Sequence, residues 1–161
     1  MAKRFWIGLT VLFSVWVLLI IAPAILGIYG NESLGSPLYG FFSNICHQLP
    51  ERTFHLMGHP LGVCSRCFGV YLGLVVGALF YPLFRKLDDA EPLPLYGLIL
   101  AIIPMGVDWA LTFFGIWENT FTTRFLTGSL LGIACAVYIL PALSELSYFI
   151  HARRSRTART D

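Results

Sequence analysis

Charge is scarce in this chain: 11 basic and 9 acidic residues in 161, or 12% of the sequence, against 57% apolar residues. A soluble globular domain carries about 25% charged residues, so this balance excludes one. A glycine-rich phosphate loop is also missing, as is any supported Ser-His-Asp arrangement, which leaves no nucleotide-hydrolase or serine-hydrolase signature. Covalent haem is excluded because Phe68, not histidine, follows Cys67. Too few polar residues interrupt the apolar runs for a channel, and no nucleic-acid partner is expected.

What the chain has is apolar length. Its mean hydropathy is +0.72, and four runs, about 5–28, 64–84, 93–117 and 122–149, reach the roughly 20 helical residues that cross a hydrocarbon core. The expected fold class is an all-α membrane protein with four transmembrane helices plus a short amphipathic helix in the outer loop, forming one domain over 1–161. Lys3, Arg4, Arg85, Lys86, Arg153, Arg154, Arg156 and Arg159 fall on one side of such a bundle, and only Arg52, Arg66 and Arg124 on the other. The positive-inside rule then puts both termini and the 85–91 loop in the cytoplasm, and the 29–63 loop outside the cell membrane. Lys3 and Arg4 before an apolar run also suit a signal peptide, but the long run, the absence of a clean small-residue cleavage site and Pro23 favour a retained anchor. The basic tail, 150–161, reads as a topology signal that meets anionic lipid.

The 29–63 loop is patterned. Ser36-Pro37 offers a helix cap followed by proline at the first helical position. Leu38, Phe41, Phe42, Ile45 and Leu49 recur at helical spacing up to Pro50, which predicts an amphipathic helix with Cys46 on its surface beside Phe42 and Leu49. His55 and His59 would share a face if the following turn is helical. Cys64 and Cys67 open the second span, where free backbone N–H groups, the helix dipole and Arg66 favour thiolates.

Cys-x-x-Cys with a distant third cysteine and a nearby histidine is the ligand inventory of a Cys3His metal site. Cys46, Cys64 and Cys67 would supply the sulfurs, and His47, or else His55 or His59, the fourth ligand, to zinc first and iron second, chiefly as a structural site. The rival reading is a membrane thiol-disulfide oxidoreductase, quinone-linked, with Cys46 attacking a Cys64–Cys67 disulfide. It lacks a quinone box and a second cysteine pair. A stapling disulfide with one spare thiol is the plain alternative, and an accessory subunit of a larger membrane complex is a third functional class. If the site is catalytic, Cys64, Cys67, Cys46 and Asp108 are the candidates. Cys135, deep in the fourth run, reads as a small buried residue.

A second constellation adjoins the first. The second and fourth spans both start outside, so their positive ends converge with Arg66 and Arg124, and together with Arg52 and Asn119 they offer a place for a lipid or an anionic small molecule. Asp108, two turns inside the third span, is expensive there unless paired, and an Asp108–Arg124 ion pair is expected. Asn119 and Thr120 are placed to cap the fourth span. Gly69, Gly73 and Gly77 on the second span, and Gly128, Gly132 and Ala136 on the fourth, recur every four residues, so these two spans should touch closely. The same small-residue face could instead serve a homo-oligomer.

Cys46-His47-Gln48, Pro50 and Arg52, then Cys64, Arg66, Cys67, Gly69, Tyr71 and Gly73, and later Asp108, Asn119, Arg124, Thr127 and Gly128 form a pattern spread over about 41–132. In these residues the chain resembles a family of small bacterial and archaeal integral-membrane proteins, the domain of unknown function 2085. The resemblance implies a small membrane protein and carries no activity with it.

Overall fold

The computed structural model describes residues 2–87 and 93–157; part of the expected 85–91 loop and Arg159 of the basic tail lie outside the described residues. Among the described residues five α-helices carry the architecture: α1 (Ala2–Ile28), α2 (Glu32–Ser43), α3 (Ser65–Phe84), α4 (Tyr96–Phe113) and α5 (Phe121–Thr157). A single 3-10 turn (Pro50–Arg52) and a small hairpin, β1 (His55–Leu56) with β2 (His59–Pro60), lie between α2 and α3. Helices α1, α3 and α4, and residues Phe121–Leu143 of α5, are each long and apolar enough to cross a membrane. The chain is an all-α membrane protein with four such helices and one short amphipathic helix.

The boundaries correct the expected ones in three places. The third span is Tyr96–Phe113, shorter than 93–117, because Gly115 with φ +68° ends the helix and residues 116–117 fold back onto the carbonyl of Leu111. Helix α5 runs on to Thr157, so much of the expected tail is helical; at about 1.5 Å per residue its 37 residues reach about 55 Å, beyond a roughly 30 Å core. The amphipathic helix is Glu32–Ser43, not 36–49. It starts earlier because Asn31 and Glu32 suit the positive end of a helix, and Pro37 is absorbed one turn in. It stops at Ser43, where the N–H groups of Asn44 and Ile45 tighten onto the carbonyls of Phe41 and Phe42 three residues back, and the chain then turns at Gln48 with φ +48°.

Packing follows the glycine spacing. A Cβ on Gly69 or Gly73 would run into the carbonyl oxygens of Phe125 or Ser129, and one on Gly77 would lie 2.7 Å from Cβ of Ala136. Gly128 and Gly132 meet the carbonyls of Arg66 and Val70 in return. Helices α3 and α5 therefore lie backbone to backbone, the expected close pair and the most extensive helix contact in the fold. Helix α1 packs on α2 and α3, and α4 leans on α5, where the Tyr138 hydroxyl donates to the carbonyl of Pro94 at 2.6 Å.

Two apolar clusters fill the interior. Ala78, Tyr81 and Leu140 hold one end of the bundle. At the other end Ile20, Ala24, Phe42, Leu61 and Val63 surround Cys46. Phe54 lies over this end, edge-on to Phe68 and Phe125 and tilted on Phe121, and so covers the first turns of α3 and α5.

Candidate functional site

The segment between α2 and α3 brings Cys46 to the head of α3. Leaving α2, the N–H of Cys46 donates to the carbonyl of the fully buried Phe42 at 2.9 Å. The Gln48 side-chain amide then donates to the carbonyls of Tyr39 (2.9 Å) and Gly62 (2.7 Å), tying the loop to α2 on one side and to the lead-in of α3 on the other. Gly62 is pressed between Phe42 and α1: its N–H donates to the carbonyl of Ile20 at 2.9 Å, and a Cβ there would fall 2.9 Å from the Phe42 ring. The Thr53 hydroxyl, 1% exposed, donates to the carbonyl of Leu49 at 2.8 Å. Cys46 is thus fixed by buried neighbours rather than by a helix surface, which corrects its expected setting.

Cys64 is the N-cap residue of α3 and Cys67 lies in its first turn, so both thiols sit where backbone N–H groups lack helical partners. The Cys64 N–H donates to the Cys46 sulfur at 3.2 Å. The sulfurs of Cys46, Cys64 and Cys67 all lie within 4.8 Å of one another. Hydrogen bonds from the Cys64 and Cys67 thiols, with smaller help from the backbone N–H groups of Cys64 and Gln48, hold the Cys46 thiol far below its ordinary range. The depression favours the thiolate form of Cys46. Tetrahedral zinc with Zn–S bonds of about 2.3 Å spaces its sulfurs about 3.8 Å apart, so the trio fits such an ion.

The three cysteines open on a cavity of about 520 Å³, which Arg52, Arg66, Arg124, His47 and Asn119 share with Trp109, Thr112 and Phe113. Arg66 donates to the Asp108 carboxylate, whose side chain is 9% exposed. The Asn119 amide donates to the same carboxylate at 2.9 Å, and Arg124 Nε donates to the Asn119 carbonyl at 2.5 Å. A relay Arg66–Asp108–Asn119–Arg124 thus links α3, α4 and α5 behind the cysteines.

These contacts revise several expectations. Asp108 pairs with Arg66 and not with Arg124, because Arg66 leads α3 directly toward α4 while Asn119 stands between Asp108 and Arg124. Asn119 therefore bridges rather than caps; the Thr120 hydroxyl alone accepts from the Thr123 N–H at 3.2 Å. Among the described residues no histidine joins the three-sulfur group. His47 is exposed on the cavity wall and is not part of the three-sulfur group. His55 and His59 lie on the hairpin, turned by Met57 and Gly58 at φ +49° and +87°, instead of sharing a helical face. His59 rests against Gly27 and lines a separate cavity with Tyr39 and Glu32. Cys135 stands apart in α5, half-buried. Sequence reasoning assigned no role in the loop to Gln48 or Thr53, since polar side chains that hold a loop by backbone carbonyls leave no spacing pattern; Gly62, two residues before Cys64, was the nearest signal.

The family described as predicted membrane protein, domain of unknown function 2085, matches residues 46–138, the stretch from the first cysteine to the tyrosine that anchors α4. An uncharacterised protein of Methanocaldococcus jannaschii is 39% identical over 151 residues, covering 91% of this chain and 97% of the relative. One from Methanothermobacter thermautotrophicus is 40% identical over 96 residues, covering 60% of this chain and 85% of its own length. No solved structure matches. The chain belongs to this family of predicted membrane proteins.

Proposed function

We propose that this member of the family is a membrane metalloprotein that holds one thiolate-loving divalent ion, zinc first and iron second, on Cys46, Cys64 and Cys67. The observation that carries the reading is the meeting of three sulfurs from two separate segments within 4.8 Å, on the wall of a cavity. Three sulfurs suit a coordination site better than a disulfide, which would leave one thiol unused. The backbone N–H donated to Cys46 is the outer-shell support that ligating thiolates receive. Among the described residues the group contains three sulfurs and no histidine, and it opens on the cavity, so a bound ion would have room for a fourth ligand as in sites that bind or activate one.

The site stands at the end of the bundle that carries Arg52, Arg66 and Arg124, while Lys3, Arg4, Arg85 and Lys86 belong to the opposite end. That asymmetry supports an extracytoplasmic cysteine cluster and cytoplasmic termini in the cell membrane. The test is elemental analysis of protein purified in mild detergent without chelator, alongside a count of free thiols before and after reduction. About one zinc or iron per chain, lost in Cys64→Ser, is the expected result. No metal, with two thiols reactive only after reduction, would replace this reading by thiol-disulfide chemistry.

A further inference from the structure

The cavity beside the thiols has a one-sided wall. Arg52, Arg66 and Arg124 converge on it, and among the described residues it is lined by no Asp or Glu. Asp108 answers one of these charges from behind, through Arg66. The guanidinium groups keep free donors: Arg66 Nε is buried with no partner, Arg124 uses only its Nε on Asn119, and Arg52 has no protein acceptor among the described residues. A guanidinium fork matches phosphate oxygens two at a time, and three of them around one cavity exceed what Asp108 can balance.

Deepening the metal reading and resting on it for the charge of the sulfur side, we infer that this cavity binds a phosphate ester group next to the metal position. Three arginines carry three positive charges and Asp108 one negative charge; a divalent ion with three thiolates adds one more negative charge. The remainder is a single positive charge, which a phosphodiester monoanion neutralises. The rim is apolar: Ile45 and Leu49 of the cysteine loop flank it, with the exposed Trp109 and Phe113 from the last turns of α4. A phosphate carried on a lipid headgroup and one on a free molecule present the same oxygens here.

The experiment uses the full chain with its zinc content measured in every sample. In one arm the protein is titrated calorimetrically with inorganic phosphate in maltoside detergent. In the other it is extracted from phosphatidylglycerol vesicles, washed in detergent, and its retained phosphorus counted. Arg124→Gln and Arg52→Gln are compared with wild type, the second because Arg52 lies exposed on the 3-10 turn and its loss leaves folding intact. Saturable phosphate binding weakened tenfold or more in either variant supports the inference with a free ligand, since a hydrogen bond to a charged group is worth that much. About one retained phosphorus per chain, lost in the variants, supports it with a lipid. No binding in both arms, or binding equal in the variants and wild type, overturns it. Because zinc is read separately, a zinc-free wild type that still binds phosphate would sink the metal reading and leave the arginine site standing.

Discussion

Gln48→Met tests how the cysteine loop is built. Methionine keeps the length and flexibility of glutamine but donates nothing, so the carbonyls of Tyr39 and Gly62 lose their partner bonds of 2.9 and 2.7 Å. Each neutral hydrogen bond contributes about 1 kcal/mol net, and a carbonyl left dry costs more, so the pair is worth about 2–4 kcal/mol. The positive φ at this position stays equally unfavourable for either residue, so strain cancels from the comparison. The loop segment bearing Cys46 then keeps its N–H bond to Phe42, the Cys64 N–H donated to its sulfur and its core burial, but loses its side-chain tie to Gly62. Loss of such outer-shell support costs about 10- to 100-fold in metal affinity. Zinc competition against a chelator, with a thermal melt in the same detergent, measures both effects. Unchanged zinc affinity and an unchanged melting temperature would refute the assignment of Gln48 as the clamp.

Gly73→Leu should separate α3 from α5, because even a Cβ there would sit 3.0 Å from Gly132 Cα and Ile133 N, and nearer still to a Ser129 carbonyl that cannot move alone; a wild-type melting temperature would contradict the packing. Asp108→Asn leaves the Arg66 charge without its counterion at a site only 9% exposed on the acid side, and a loss of about 3 kcal/mol in detergent unfolding is expected, with cysteine reactivity rising as the relay loosens. Zinc binding at neutral pH should release fewer than three protons, because the Cys46 thiol is depressed in the folded state. The sign for the metal-free protein follows: the Cys46 contribution to stability is fully present above the ordinary thiol range and falls away as pH drops toward its folded value, so a metal-free melt that rises on acidification from pH 8 to 5 would contradict it.

The spans were legible because hydropathy and length are local properties, and α1 and α3 end within a few residues of their apolar runs. The glycine ladders were legible because an approach of two backbones demands small residues at one fixed spacing, and Gly69, Gly73 and Gly132 are where α3 and α5 touch. The loop was harder to read. Helical spacing through Leu38, Phe41, Phe42 and Ile45 continues past Ser43, but the chain leaves the helix to let Gln48 bond two carbonyls, and that gain involves Gly62, far along the sequence. The histidines misled for the same reason: His55 and His59 have helical spacing, yet a left-handed Met57-Gly58 turn makes them hairpin neighbours of the opposite strands.

By itself the sequence determined that this is a four-span membrane protein with Cys46, Cys64, Cys67 and three arginines at one end, since apolar run length and residue order settle which side of a bundle each loop occupies. Only the tertiary structure decided that Cys46 meets Cys64 and Cys67 without a histidine, and that Arg66 rather than Arg124 takes Asp108. Those outcomes depend on distances between segments 18 and 42 residues apart, set by the close approach of α3 to α5 and by the buried loop against α1.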